Sequence, residues 1–512
     1  MNAQSTASML PGVRVLTAFC LALGTFMQVL DTTIANVTIP TIAGSLGVST
    51  DQGTWVITSF AVANGISVPM SAWLMQRYGL VKTFVVSVLM FTATSFMCGV
   101  AWSLPSLILF RVLQGASSGP MIPGSQALLI YIFPPERKST ALVIWSMTTL
   151  VAPICGPILG GYLADNWSWP WIFLINVPVG LVAAGVSWRN LSALETPRRA
   201  LPIDGVGLGM LVVWAGALQI MLDKGKDLDW FASPMILTLA IVSILVFIAW
   251  LIWELTEKHP IVDLTLFKSR NFVVGVTAFS LGYSVMFGNL VLLPLWLQTQ
   301  FGYTAIWAGL VAAPAGAVSV LISPFVGRSM GKLDARWFAS GSLLAFAISY
   351  YMRAQFTMQA DFGSVVMPML MQGIGMGAFF VSMLTIMLEG LPPERIPMAS
   401  GLSNFLRIIA AGFATSITTT FWDRHEAVYQ TQLAGASSAF DPSLQSAMTH
   451  LNSVGMDDSA GLAVLTRELV RQAYLLSSIE FFSISAALCA ALVVMVWFTR
   501  RAVSNAPVAA AD

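Results

Sequence analysis

Four ionisable residues stand inside long apolar runs: Asp31, Arg111, Arg407 and Glu480. An ionised side chain in hydrocarbon costs several kcal/mol, so such a residue marks a proton or substrate pathway, or a buried tie between helices. Asp31 lies in Leu30-Asp31-Thr32-Thr33-Ile34-Ala35-Asn36-Val37, at the end of a run that begins near Val15. A guanidinium beside a carboxylate favours its ionised form and burial favours its protonated form. An acid so placed can take up or release a proton when its surroundings change, which is the chemistry of a proton-coupled carrier. The competing assignment for Asp31 and Arg111 is a purely structural tie to a neighbouring helix.

Depth follows from a rise of about 1.5 Å per residue. Asp31 falls roughly 24 Å from the cytoplasmic end of its segment, about 6 Å inside the far edge of a ~30 Å hydrocarbon core. Arg111 and Glu480 each fall about 9 Å in from that same edge. The spacing therefore predicts that Asp31, Arg111 and Glu480 share one depth, with Arg407 near the midplane. Arg111, Gln114, Gly115 and Ser118 share one helical face, as do Gln28, Asp31 and Ala35. These faces should line a central cavity, where Gln28, Gln114, Asn289, Asn404 and Arg407 are the candidate substrate contacts. The proton-coupling candidates are Asp31, Arg111 and Glu480; for Glu480 an interfacial position is an equal alternative.

Ala152, Gly156 and Gly160 recur at every fourth position in Ala152-Pro153-Ile154-Cys155-Gly156-Pro157-Ile158-Leu159-Gly160-Gly161. Small residues at that spacing let another helix approach closely. Pro153 and Pro157 each remove a backbone hydrogen bond and bend the segment.

The elements that must position these residues follow from composition. Of 512 residues 56% are hydrophobic and only 10% charged, with a mean hydropathy of +0.78. Soluble domains carry about 25% charged residues. Repeated apolar runs of about 20 residues predict an all-α polytopic membrane protein with about fourteen spans. The spans read near 15–35, 54–74, 83–103, 105–132, 139–162, 170–188, 205–223, 234–255, 271–296, 304–327, 336–354, 363–389, 397–421 and 474–499. Lys and Arg concentrate on the connections that share a side with the termini, so the positive-inside rule makes both termini cytoplasmic. A polar stretch, 422–472, then reads as a long loop on the opposite, periplasmic side.

An internal repeat sets the domain plan. Pro134 recurs as Pro392 within matching Pro-Pro-Glu-Arg turns, and Gln114-Gly115 with Gly119 recurs as Gln372-Gly373 with Gly377, both at an offset of 258. The halves therefore read as a six-helix bundle over 1–190 and another over 271–512, the latter with the loop 422–472. Two inserted spans lie between them in 191–270.

A net charge of +1 gives no footprint for nucleic acid. The four cysteines lie in apolar runs without metal-ligand spacing, so neither a disulfide framework nor a zinc site is expected. There is no Gly-Lys-Ser/Thr phosphate loop, no His-Glu-x-x-His, and the three histidines, His259, His425 and His450, all fall in connections. The expectation is not an enzyme, with no cofactor and no metal. Without an ATP site, transport would run on an ion gradient.

These residues resemble the major facilitator superfamily, in particular its fourteen-span drug:proton antiporters. Asp31 to Val37 resembles the first-span signature of that branch. Arg111-Val112-Leu113-Gln114-Gly115 is similar to its fourth-span motif, whose Arg is implicated in proton transfer. Ala152 to Gly161 is similar to the fifth-span antiporter motif Gly-x-x-x-Gly-Pro-x-x-Gly-Gly, with Ala152 in place of the first Gly. Trp73-Leu74-Met75-Gln76-Arg77-Tyr78-Gly79 resembles the cytoplasmic gating loop, with Arg77 and Gly79 in register and Gln76 where the family carries Asp. Gly53 to Phe60, Trp145 to Thr148 and Leu266 to Phe272 narrow the resemblance to multidrug exporters of the bacterial inner membrane.

The resemblance implies proton-driven export of hydrophobic toxic compounds, with Ala152, Gly156, Pro157, Gly160 and Gly161 forming the antiporter motif. It also implies a periplasmic membrane-fusion adaptor and a TolC-like outer-membrane channel as partners. The rival readings are a proton-coupled importer, and a non-transporting receptor or scaffold acting through 422–472. The lipid bilayer, hydrophobic small molecules and protons are the remaining expected partners.

Overall fold

In hydrocarbon every backbone N–H and C=O must be satisfied within the segment, so a chain of this composition forms helices. The structure, a computed structural model, describes residues 11–134, 137–198, 202–258, 260–330, 333–392, 395–436, 442–454 and 456–500. Among these, the regular elements are all helical. The first half comprises α1 (Pro11–Leu46), α2 (Trp55–Tyr78), α3 (Leu80–Gly99), α4 (Leu104–Ser118), α5 (Met121–Ile132), α6 (Lys138–Asn166) and α7 (Asn176–Leu191). The inserted pair is α8 (Gly205–Lys224) and α9 (Pro234–Thr256). The second half comprises α10 (Arg270–Gln300), α11 (Ala305–Ser329), α12 (Ala335–Arg353), α13 (Phe362–Leu388), α14 (Ile396–Ala436), α15 (Pro442–Ser453) and α16 (Asp458–Val496).

Eleven described helices are long and apolar enough to cross a membrane, or twelve if the bent pair within α6 counts as one span. α4 and α5 together make another span, broken at Gly119 and Pro120, where the missing amide hydrogen interrupts the ladder. α12, with Arg336 and Arg353 in its first and last turns, is the remaining one. Polar caps close several of these ends. The Ser103 side chain accepts from Ser106 N and the Ser106 hydroxyl from Ser103 N, a reciprocal box that starts α4. Asp204, Ser269, Thr304, Asp334 and Asp361 cap α8 and α10 to α13 in the same sense.

The two halves use the same packing. α1 lies on α6, α2 on α4 and α3 on α7; α10 lies on α14, α11 on α13 and α12 on α16. The repeated glycines explain the match. A Cβ on Gly115 would stand 2.5 Å from the Phe60 carbonyl of α2, and one on Gly373 would stand 2.5 Å from the Ala315 carbonyl of α11. The repeated turns agree as well: Arg137 N donates to Pro134 O at 2.8 Å and Arg395 N to Pro392 O at 2.9 Å. Pro135, Glu136, Pro393 and Glu394 of those turns lie outside the described residues. Between halves, α6 meets α11 and α2 meets α14.

The stretch 422–472 departs from the expected loop. α14 runs for 41 residues and α16 for 39. At about 1.5 Å per residue each is roughly 60 Å long, twice a ~30 Å hydrocarbon core. Most of the polar stretch is thus helix projecting beyond the apolar slab, with α15 between the two arms. Its first part, Trp422 to Leu433, holds no Gly or Pro, and Asp457 starts α16 by accepting from Ala460 N at 2.8 Å. Polarity marks the exit from the bilayer; it does not mark the end of a helix.

Candidate functional site

The fourth span enters from the side of this hairpin, and its Ser103–Ser106 cap sets Arg111 two turns in. There the predicted meeting with Asp31 occurs. Arg111 Nη1 lies 2.5 Å from Asp31 Oδ2, and neither side chain has any exposed surface. Gln114 Nε2 donates to Asp31 Oδ1 at 3.0 Å and Asn176 Nδ2 to the same oxygen at 3.2 Å. Arg111 also donates from Nε to the Val56 carbonyl at 3.0 Å and from Nη1 to Gln114 Oε1 at 2.7 Å. Its face lies 4.2 Å from the Phe60 ring. Nη2 is buried without a hydrogen-bond partner among the described residues. Asn176 continues the network to Ser95 Oγ at 3.2 Å, and the Ser95 hydroxyl donates to Phe173 O. Asn176 and Ser95 escape a search of the sequence for charges, since amides and hydroxyls are common in membrane helices.

Arg111, but not Asp31, forms part of the wall of a central cavity of about 540 Å³ between the halves. Gln28, Thr32 and Thr33 face it from α1, and Asn289 and Tyr283 from α10. Arg407 faces it from α14, at 4.9 Å from the Tyr283 ring, and its repeat-equivalent Thr149 faces it from α6. Arg407 Nη2 donates to Asn404 Oδ1 at 3.2 Å, while Nε is buried without a described partner. The cavity reaches solvent on the hairpin side, where Lys226, whose side chain is 42% exposed, stands in the wall. On the side of the termini the halves close. Asn404 Nδ2 donates to Gln126 Oε1 across the interface at 3.2 Å, and Trp145 meets Phe380 edge-on at 6.2 Å. Gln114 therefore serves the Asp31 pair and Asn404 the seal, whereas Gln28, Asn289 and Arg407 reach the cavity itself.

The repeat places Asn289 where the first half has Asp31, and its Nδ2 donates to Ser485 Oγ at 2.9 Å. Gln372, the counterpart of Gln114, accepts from Arg353. Arg353 is wholly buried, and its Nε and Nη1 have no described partner. Its position at a predicted segment end hid it from the sequence reading.

Glu480 does not join Asp31. It accepts from Tyr429 Oη at 3.0 Å and lies 2.7 Å from His425 Nδ1, with about a third of its side chain exposed. His425, expected in a connection, is on α14.

In the fifth-span motif Ala152 is fully buried, and a Cβ on Gly156 would strike Thr33 of α1. Gly160 is buried as well, and Gly161 has nothing within 4 Å of its Cβ position. The side chain of Pro157 lies outside the described residues. The glycine ladder thus seats α1, the helix that carries Asp31.

At the 73–79 turn Gly79 takes φ +97°, a left-handed value that favours glycine. Arg77 stacks 5.4 Å from the Trp73 ring. Glu195 accepts from Val81 N at 2.9 Å and Lys82 N at 2.8 Å, completing the first turn of α3.

Two matched six-span bundles around one cavity, with two further spans inserted between them, define a secondary-transporter architecture, and the family model of the Major Facilitator Superfamily matches residues 21–415. The chain belongs to that superfamily. It is 48% identical over 487 residues to the multidrug export protein EmrB of Escherichia coli (strain K12), covering 95% of each chain. It is 46% identical over 480 residues to the fatty acid resistance protein FarB of Neisseria gonorrhoeae, covering 94% of this chain and 95% of that one. Among solved structures it resembles the proton:xylose symporter XylE, with a TM-score of 0.58 at 13% identity and 96% of each chain covered, a likeness of fold.

Proposed function

We propose that the protein exports hydrophobic, amphipathic toxic compounds from the cytoplasmic side of a bacterial inner membrane in exchange for protons. The observation that carries this is the buried Asp31–Arg111 pair with Arg111 alone on the cavity wall. A substrate or water that draws the guanidinium into the cavity uncovers the carboxylate; its return covers it again. Asp31 is the proton-carrying acid, Arg111 the residue that controls it, and Gln28, Asn289 and Arg407 contact substrate. The relatives named multidrug export and fatty acid resistance proteins support an apolar, adaptable cavity. Both termini are cytoplasmic on this reading, so the cavity described above opens to the periplasm. The bundles span 1–190 and 271–512, with 191–270 inserted. The projecting α14–α16 hairpin docks an EmrA-like adaptor, which joins the transporter to a TolC-like channel.

The test is substrate-driven proton movement in oriented vesicles. Native protein is expected to release protons when hydrophobic compounds are added, and Asp31→Asn to abolish the response. An identical response in both would remove Asp31 from the coupling. Inward accumulation of substrate, in place of extrusion, would establish the importer reading.

A further inference from the structure

The inserted helix α8 brings a second carboxylate to the cavity, and it differs from Asp31 in being directly accessible. Its last turn lies between the halves. Toward the first half, Lys224 Nζ donates to Thr54 Oγ1 at 2.8 Å and the Thr58 hydroxyl donates to Asp223 Oδ2. Toward the second, the Ser416 hydroxyl donates to Leu222 O at 2.7 Å, and Lys226 pairs with Asp423 at 2.8 Å. The segment is therefore held on both sides, with Asp223 at a fixed place in the wall.

Two carboxylates line the cavity among the described residues, Asp223 and Asp227. Asp227 is 58% exposed at the rim and lies 3.4 Å from Lys224. Asp223 is exposed, and no described Lys or Arg forms an ion pair with it, because Lys224 and Lys226 are turned to Thr54, Asp227 and Asp423. Thr58 is its hydrogen-bond donor. The wall it shares includes Ile57, Leu222, Met286, Phe287 and Leu290. An exposed carboxylate without an ion-pair partner is open to a cation that enters the cavity, and the apolar wall gives the rest of a lipophilic cation a surface to bury. Phe287 adds an aromatic face of the kind that organic cations favour.

We infer that Asp223 is a recognition site for organic cations at the mouth of the cavity, engaging the positive group of a lipophilic cation while Phe287 and Met286 take its apolar body. The inference deepens the exporter reading, since it presumes that the cavity receives substrate. Asp31, behind Arg111, then handles the proton, and Asp223 meets the cargo.

The experiment uses full-length protein in nanodiscs without a proton gradient, and measures binding of tetraphenylphosphonium and tetraphenylborate. The two probes share size and shape and differ in the sign of charge. Asp223→Asn is expected to weaken tetraphenylphosphonium by about tenfold or more and to leave tetraphenylborate unchanged or tighter. Asp223→Glu should keep cation binding within about threefold of native. Asp223→Ser provides a second neutral variant should the amide fold poorly. Equal loss for both probes, or unchanged cation binding in the neutral variants, would overturn the assignment. Failure of exchange itself is seen separately, as absent proton release by the native protein in vesicles, and leaves the binding contrast readable.

Discussion

Asp31 and Arg111 are 2.5 Å apart and both fully buried, yet only the arginine touches the cavity. The pair is thus asymmetric with respect to the cavity wall. On the proposed mechanism a compound in the cavity acts on the carboxylate through the guanidinium, and mutating each partner tests this.

Removing one partner of a buried pair leaves an uncompensated charge, at a cost of about 3–5 kcal/mol, whereas an apolar replacement of both is often near neutral. Arg111→Met should therefore lower the thermal unfolding midpoint, and Asp31→Asn combined with Arg111→Met should recover most of it. Neither variant should show substrate-driven proton release. A double variant no more stable than Arg111→Met would contradict the assignment of the pair as the source of the loss.

Glu480 is bound to His425 and Tyr429 on neighbouring α14, away from the Asp31 network. Glu480→Gln is accordingly expected to keep substrate-driven proton release at roughly native extent, since a part-exposed pair contributes only about 1 kcal/mol or less. Loss of coupling on the scale of Asp31→Asn would place a second coupling acid on α16.

The α1–α6 contact depends on Gly156. A methyl group there overlaps Thr33, and overpacking of this kind costs roughly 1–3 kcal/mol. Gly156→Ala should lower the unfolding midpoint and depress transport, while Gly161→Ala, with nothing within 4 Å, should do neither. Equal behaviour of the two variants in a melting experiment would show that α1 is not seated by the ladder.

The seal on the side of the termini includes Asn404 and Gln126. In a background with Cys20, Cys98, Cys155 and Cys489 replaced, Gln126→Cys with Asn404→Cys should cross-link with a short bifunctional thiol reagent. Turnover should stop on cross-linking with a cleavable reagent and return after its cleavage. Undiminished transport by fully cross-linked protein would mean that this face never opens.

Much of this was legible from composition and spacing. Fourteen spans, the matched halves and the shared depth of Asp31 and Arg111 all follow from constraints along one axis. Hydrocarbon thickness sets span length, helical rise converts residue number to depth, and the offset of 258 relates the halves. Depth is one coordinate, however, and lateral neighbours require the other two. Helical rise gives Glu480 nearly the same depth as Asp31, but helix packing gives it His425 and Tyr429 as partners. Asn176 is the reverse case: an unremarkable amide by sequence, it becomes a ligand of Asp31 once α7 packs on α1. The placement of Asp223 in the cavity wall, the supply of Glu195 to the start of α3 and the projection of the 422–472 stretch as helix were likewise decided by tertiary structure. Each depends on the rotation of a helix about its axis or on its neighbours, and these are set by side-chain packing across distant parts of the chain.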